Sequence, residues 1–271
     1  MRTFGLIGDP VAHSLSPAMH RAGFAAIGAS ASYDLVRVPA DEPAAVGIEM
    51  RRLAAGGGGN VTVPHKRVAA LAVDHPSATV TALGSCNCFW EMEAGIVAGD
   101  NTDVTGICRS LDAHLAGRPP GRVLVLGAGG AAGAAALSVA LLGASKVLIA
   151  NRTGERARDL ATRLQTIDVA VECLDGSPTG VFDLIINATS LGLRDEDPLP
   201  AGFDRLSVGL ILDLVYGHQR TAWLLAADAA GIECIDGREV LLQQGAACYP
   251  HWFGVEAPLD AMRSALYRDQ N

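Results

Sequence analysis

The stretch Arg122-Val-Leu-Val-Leu-Gly127-Ala-Gly129-Gly130-Ala-Ala132-Gly133 decides how this chain is read. A short aliphatic run ends abruptly in glycines and leads into an alanine-rich segment, Ala134 to Leu142. That is the order strand, tight turn, helix. Glycines let the backbone turn sharply and come close to a pyrophosphate, while the helix start presents unpaired N–H groups and the positive end of its dipole. The pattern Gly127-x-Gly129-x-x-Ala132 is the variant with alanine last, and its place between strand and helix predicts a dinucleotide site on Gly127, Ala128, Gly129, Gly130 and Ala131.

Downstream, strand-like and helix-like segments alternate: Lys146–Ala150, a helix from Glu155 to Leu164, Val169–Cys173, Asp183–Asn187, Val208–Tyr216, a helix from Arg220 to Ala230, and Ile232–Ile235. Such alternation predicts a parallel sheet covered on both faces. Two helices close the chain, Arg238 to about Tyr249 and Pro258 to Tyr267, and Pro250 should end the first of them early.

The first hundred residues read as a separate α/β unit. Thr3–Ile7 and Tyr33–Val38 are strands, and Ser16-Pro17 is a helix start with Ser16 as cap. The glycines Gly56 to Gly59 are read as ending a helix, and Asn60 to Lys66 as a strand running into a loop. Ser85–Glu91 and Ile96–Gly99 form a hairpin about Gly95, followed by a helix over Thr105–Leu115 for which Asp103 is a candidate cap. Ligands of open α/β sheets sit beyond the carboxyl ends of the strands, so a cleft between the two units is the expected site.

Composition narrows the function classes. The chain has 271 residues, 49% of them hydrophobic, and a net charge of -8, which argues against a general binder of nucleic acid or anionic membrane. Six cysteines at these spacings make neither a disulfide framework nor a zinc module and read as thiols of a cytoplasmic protein. The uncharged run Val123–Ser145 is long enough to span a membrane, but its five glycines suit a soluble strand-turn-helix better. The N-terminus reaches Asp9-Pro10 too soon for a signal peptide.

The cofactor can be narrowed too. An NAD site usually carries an acid at the tip of the second strand, on the ribose 2′-hydroxyl. Here the strand ends Leu148-Ile-Ala-Asn151-Arg152-Thr153, without an acid. Arginine there suits a 2′-phosphate, which it grips through forked, charge-assisted hydrogen bonds, with Asn151 and Thr153 as polar partners. Thr153 is also placed to cap the next helix, whose first turn holds Glu155. NADP is therefore expected. A nicotinamide enzyme acting on an alcohol needs a proton donor and acceptor at the carbinol oxygen, and Lys66 and Asp103 are the candidates.

With these residues in view, the chain resembles the shikimate dehydrogenase family along nearly its whole length. Gly8-x-Pro10-x-x-His13-Ser14-x-Ser16-Pro17-x-x-His20 is similar to the family's substrate-carboxylate loop, Asn60-Val-Thr62-Val-Pro64-His-Lys66 to its catalytic-lysine motif, and Asn101-Thr-Asp103 to its catalytic-aspartate motif. Asn187-Ala-Thr-Ser190-x-Gly192, Asp213-x-Val-Tyr216 and Gln244 fall where the family has its later motifs.

The resemblance implies an N-terminal substrate domain (residues 1–103 with 238–271) and a Rossmann-type, doubly wound NADP domain (104–237). It implies reversible NADP-dependent reduction of 3-dehydroshikimate to shikimate, without a metal. Ser14, Ser16 and Tyr216 would hold the carboxylate. Asn60, Thr62, Asn87, Asp103 and Gln244 would bind the ring hydroxyls, and Lys66 with Asp103 would move the proton. Thr189, Ser190 and Gly237 would join the cofactor site. A monomer or homodimer with a small-molecule substrate, and neither nucleic-acid nor membrane partner, is expected.

The chain departs from the family's usual pattern at Cys86 and Cys88 around Asn87, at Val104, and at Arg238-Glu239, where small residues are common. Those departures leave open a paralogue acting on quinate, an aminated shikimate analogue or another small hydroxylated ring acid. The Ser14/Ser16 pair resembles the shikimate-preferring pattern. An NADP(H)- or metabolite-sensing protein is the alternative from another class; a sensor has no need of both Lys66 and Asp103.

Overall fold

The computed structural model describes residues 1–174, 176–194, 196–217 and 219–268. The chain divides into two units, Met1–Thr102 with Leu241–Asn271, and Asp103–Val240.

The first unit is built on β1 (Arg2–Gly8), α1 (Ser16–Ala26), β2 (Ala31–Arg37), α2 (Ala44–Ala54), β3 (Gly57–Val61), α3 (Lys66–Ala72), β4 (His75–Pro76), α4 (Ala78–Leu83), β5 (Cys88–Glu93) and β6 (Ile96–Asp100). Its sheet runs β2-β1-β3-β5-β6-β4. The strands β2, β1 and β3 are parallel; β5 is antiparallel to both β3 and β6. One face of the sheet carries Val46, Met50 and Leu53 of α2 in a core with Ile7, Val61 and Phe89. A second buried group is aromatic: Phe4, His20, Phe24, Tyr33, Tyr249 and Trp252, with ring centroids 4.5–6.4 Å apart among its contacting pairs.

The glycine run is a correction to the sequence reading. Gly57 to Gly59 do not simply end the helix; they are the start of β3, between β1 and β5. The reason is space. A Cβ at Gly58 would stand 2.4 Å from the Phe89 carbonyl oxygen, and one at Gly59 would stand 2.4 Å from that of Gly5. Gly58 also holds φ at 135°, which a side chain rarely tolerates.

The second unit contains α5 (Thr102–Leu115), β7 (Arg122–Leu126), α6 (Gly130–Leu141), β8 (Lys146–Ala150), α7 (Gly154–Gln165), β9 (Val171–Cys173), β10 (Gly180–Asn187), β11 (Leu206–Asp213), α8 (Ala222–Ala229) and β12 (Glu233–Asp236). All six strands are parallel, in the order β12-β11-β10-β7-β8-β9. Chain order reverses between β7 and β10, so the crevice beside β7 is where a doubly wound sheet takes its ligand. The apolar run around Val123–Ser145 is thus strand, turn and helix, and no helix of the described residues is long and apolar enough to cross a membrane. Leu124, Leu148, Phe182, Ile185, Ile211 and Trp223 fill the core on one side of this sheet.

The closing segment is α9 (Gly237–Ala246), α10 (Tyr249–Phe253) and α11 (Leu259–Leu266). As Pro250 predicts, the first of these helices stops early. Proline then sits in the first turn of α10, where its missing N–H costs nothing.

Candidate active site

In the first unit the sequence-predicted residues gather at one end of the sheet. Parallel pairing of β1 with β3 puts Ile7 opposite Val61, so the loops after both strands leave from the same edge. The loop after β1 carries Ser14 and leads into Ser16. Ser16 is not the helix cap; it is already the first residue of α1, and Leu15 precedes it. Ser14 is the residue whose hydroxyl accepts the Ser16 N–H, at 3.2 Å, and it also donates to the Ser16 hydroxyl at 3.2 Å. Ser14 stays half-buried while Ser16 is buried. After β3, Thr62 is half-buried and its N–H donates to the Ile7 carbonyl at 2.8 Å; Lys66 opens α3 and is also half-buried.

Asn87 is the hub. It lies just before β5, and its N–H donates to the Asp100 carbonyl at 3.1 Å, at the end of β6. Its side-chain oxygen accepts the Thr102 N–H at 2.7 Å and the Thr102 hydroxyl at 3.2 Å, and its Nδ2 donates to Gln244 Oε1 at 3.2 Å. Gln244 Nε2 is held by the Leu241 carbonyl at 3.0 Å. The neighbouring Cys86 N–H donates to the Lys66 carbonyl at 2.9 Å, so the segment carrying Asn87 also anchors the start of α3. Thr102, the last residue of this stretch of the first unit, was not singled out by type or spacing, yet both its N–H and its hydroxyl donate to Asn87.

Asn60 is placed differently from a free ligand. It is 4% exposed. Its Oδ1 accepts the Tyr33 hydroxyl at 2.8 Å, and its Nδ2 donates to the Asn87 carbonyl at 3.0 Å and to Cys248 Sγ at 3.3 Å. The two cysteines that break the family pattern are buried. Cys86 donates to the Cys88 carbonyl at 3.2 Å, and burial pushes its thiol up to about 12. Burial, with Cys248 beside it, also pushes Cys88 well above the ordinary thiol value. Both stay protonated near neutral pH and act as small apolar fillers.

In the second unit the predicted cofactor residues lie at the carboxyl ends of β7, β8, β10 and β12. Gly127 has φ 114°, and a Cβ there would meet the Ala188 carbonyl oxygen at 2.7 Å. Only glycine lets the β7 turn pack this closely on the loop after β10. Gly129 is the residue before α6, is exposed, and has open space where a Cβ would be. Lacking a side chain, it cannot cap the first turn of α6, whose N–H groups suit a pyrophosphate.

Asn151 Nδ2 donates to the Thr153 carbonyl at 2.9 Å, while Arg152 is exposed at the tip of β8. Thr153 does occupy the cap position of α7, but its side chain makes no capping hydrogen bond, contrary to the sequence expectation. This edge, with a tight glycine approach, an uncapped helix start and an exposed guanidinium, fits NADP.

Asp213 organises the other half of that edge. It is fully buried. Its carboxylate accepts Thr221 Oγ1 at 2.6 Å, Asn187 Nδ2 at 2.8 Å and the Val215 N–H at 3.1 Å. Asn187 in turn accepts the Thr189 N–H and hydroxyl, at 3.1 and 2.7 Å. The loops carrying Thr189–Ser190 and Tyr216 are thereby tied to one buried group. Burial raises the Asp213 carboxyl to about 6, against the pull of these donors. Arg238, a departure from small residues, is 3% exposed and is paired with Asp236 at 2.6 Å; Asp236 Oδ1 also accepts the Arg238 backbone N–H at 2.8 Å. Beside it, Gly237 has no room for a Cβ, which would lie 2.6 Å from the Asp213 carbonyl oxygen.

Asp103 lies in the first turn of α5, not at its cap, and is half-buried. Among the described residues no cluster of three or more His, Cys, Asp or Glu side chains is arranged to hold a metal ion.

Comparisons with known proteins meet this geometry along the whole chain. Residues 6–89 match the family model for the shikimate dehydrogenase substrate binding domain, and residues 115–192 match that for shikimate / quinate 5-dehydrogenase. The chain is 40% identical to a shikimate dehydrogenase (NADP(+)) of Halorubrum lacusprofundi, with 98% of each chain covered. It is also 40% identical to one of Rubrobacter xylanophilus, covering 97% of this chain and 94% of that one. Among solved structures, shikimate 5-dehydrogenase from Thermus thermophilus, in complex with NADP(H) and shikimate, aligns over 99% of both chains with a TM-score of 0.86 and 33% identity.

Proposed function

The chain belongs to the shikimate dehydrogenase family, and from that premise we propose that it interconverts shikimate and 3-dehydroshikimate with NADP. The observation that carries the reading is the pairing of full-length relatives named shikimate dehydrogenase (NADP(+)) with retention of both Lys66 and Asp103. Bound NADP supplies the hydride acceptor, or the donor in reverse. Gly127 to Ala131 would hold its pyrophosphate, Asn151, Arg152 and Thr153 its 2′-phosphate, and Thr189, Ser190 and Gly237 would complete its site.

The chain's own work is binding and proton transfer. Ser14 and Ser16, beside the start of α1, offer hydroxyls and the helix dipole to a carboxylate, with Tyr216 as a further ligand. Thr62, Asn87, Asp103 and Gln244 hold the ring hydroxyls. Asn87 and Gln244 are already fixed by their bonds to Thr102 and Leu241, so less side-chain entropy is lost on binding. Lys66 takes the proton from the reacting hydroxyl, or returns it in the reduction. Asp103 would be the second member of this proton-transfer pair, as the family motif has it. The same reading makes the protein a cytoplasmic monomer or homodimer acting on a small molecule.

Replacing Lys66 separates an enzyme from a nucleotide sensor. Lys66→Ala should lower kcat for shikimate oxidation by about a hundredfold or more while the protein still binds NADPH, read by fluorescence titration. Near-normal turnover in that variant would refute the proton-transfer role.

A further inference from the structure

Tyr33 lies on β2, at the edge of its sheet, outside every motif that marks the site. It is fully buried. Its ring stacks on His20, with centroids 4.5 Å apart and planes 17° apart, and Phe24 and Trp252 each lie 6.4 Å away. Phe4 and Phe24 fill the same aromatic group without a polar tip, so packing alone does not call for a hydroxyl here. The Tyr33 hydroxyl instead serves a polar partner, donating to Asn60 Oδ1 at 2.8 Å.

That bond decides the orientation of the Asn60 amide. The Asn87 carbonyl can only accept, so it needs the Nδ2 end of Asn60, which it receives at 3.0 Å. Oδ1 is then turned inward, buried, and requires a donor, because a buried acceptor left unpaired costs the desolvation of that group. Tyr33 is that donor. With Asn60 held this way, the Asn87 carbonyl takes two N–H groups, from Asn60 Nδ2 and from Val61 at 2.9 Å. The Asn87 side chain, fixed at its backbone, faces Thr102 and Gln244.

We propose that Tyr33 is a positioning residue of the ring-acid site, acting through Asn60 to fix Asn87 and, through Asn87, Gln244. Asn60 is then a strut between the aromatic core and the hub. The inference rests on the proposed function, since its readout is shikimate affinity.

The test is a double-mutant cycle. Steady-state shikimate oxidation with NADP is measured for the wild type, Tyr33→Phe, Asn60→Leu and the double variant, with thermal unfolding midpoints for each. Asn60→Ala serves as the alternative if Asn60→Leu does not fold. Tyr249→Phe is the control: it removes another buried hydroxyl of the aromatic group, one directed at the His20 carbonyl at 3.4 Å and not at Asn60.

Tyr33→Phe should raise the KM for shikimate about tenfold, leave the KM for NADP unchanged, and have no further effect once Asn60 is replaced. Tyr249→Phe should lower the unfolding midpoint without moving either KM. An unchanged shikimate KM in Tyr33→Phe, an equal rise with and without Asn60, or the same rise in Tyr249→Phe overturns the inference while the proposed function stands. A wild-type protein that does not turn over shikimate overturns the proposed function, and this inference with it.

Discussion

At the scale of single residues, what a side chain does here depends on its partners more than on its type. Arg152 is exposed at the end of β8, next to Asn151, whose amide is held by the Thr153 carbonyl. Arg152→Ala should therefore weaken NADPH by about ten- to a hundredfold and leave NADH nearly untouched, as measured by KM for each; equal losses would remove the 2′-phosphate role. His20 is the opposite case. It is fully buried, neither ring nitrogen has a hydrogen-bond partner among the described residues, and burial lowers its pKa from 6.5 to about 3. The folded state thus resists a proton that the unfolded state takes up. Stability from this group is complete above about pH 6.5 and falls as the pH drops towards 3, by up to about 1.4 kcal/mol per pH unit. His20→Phe should flatten that acid loss in denaturation curves between neutral and acid pH; an unaltered slope would show that the ring is protonated when folded.

At the scale of elements, local chemistry was readable and long-range packing was not. The turn after β7 is legible because glycine, strand and helix stand next to one another in sequence, and the early end of α9 because proline forbids its continuation. β3 was hidden. A run of glycines looks like no more than a helix end until Phe89 and the Gly5 backbone, distant in sequence, are seen to occupy the space its side chains would need. The caps assigned to Ser16 and Asp103 failed for a related reason: the helices begin at Ser16 and at Thr102, so each residue already lies in a first turn. Gly58→Ala should cost about 3 kcal/mol or more, because its Cβ would strike backbone at a positive φ. Gly95→Ala, at φ 79° with open space around it, should cost only about 1 kcal/mol. Chemical denaturation of the two variants gives the comparison, and equal costs would contradict the close-packing account of β3.

At the scale of the whole molecule, two sheets of different kinds divide the work: a mixed sheet whose one end collects Ser14, Thr62, Lys66 and Asn87, and a parallel sheet whose carboxyl edge collects the predicted cofactor residues. The parallel sheet was legible from the alternation of elements. The motif residues were legible one by one, but the ties among them were not. Thr102 between Asn87 and Gln244, Tyr33 behind Asn60, and Asp213 beneath two loops depend on contacts between residues 8 to 157 positions apart, which no local pattern encodes. The departures at Cys86, Cys88 and Arg238 proved to be buried, and satisfied by packing or by Asp236, so they do not by themselves point to another substrate. The direct measurement is steady-state oxidation of shikimate and of quinate, each with NADP and with NAD. The account predicts that shikimate with NADP has the highest kcat/KM of the four combinations. A preference for quinate or for NAD, or no turnover of either acid, would contradict it.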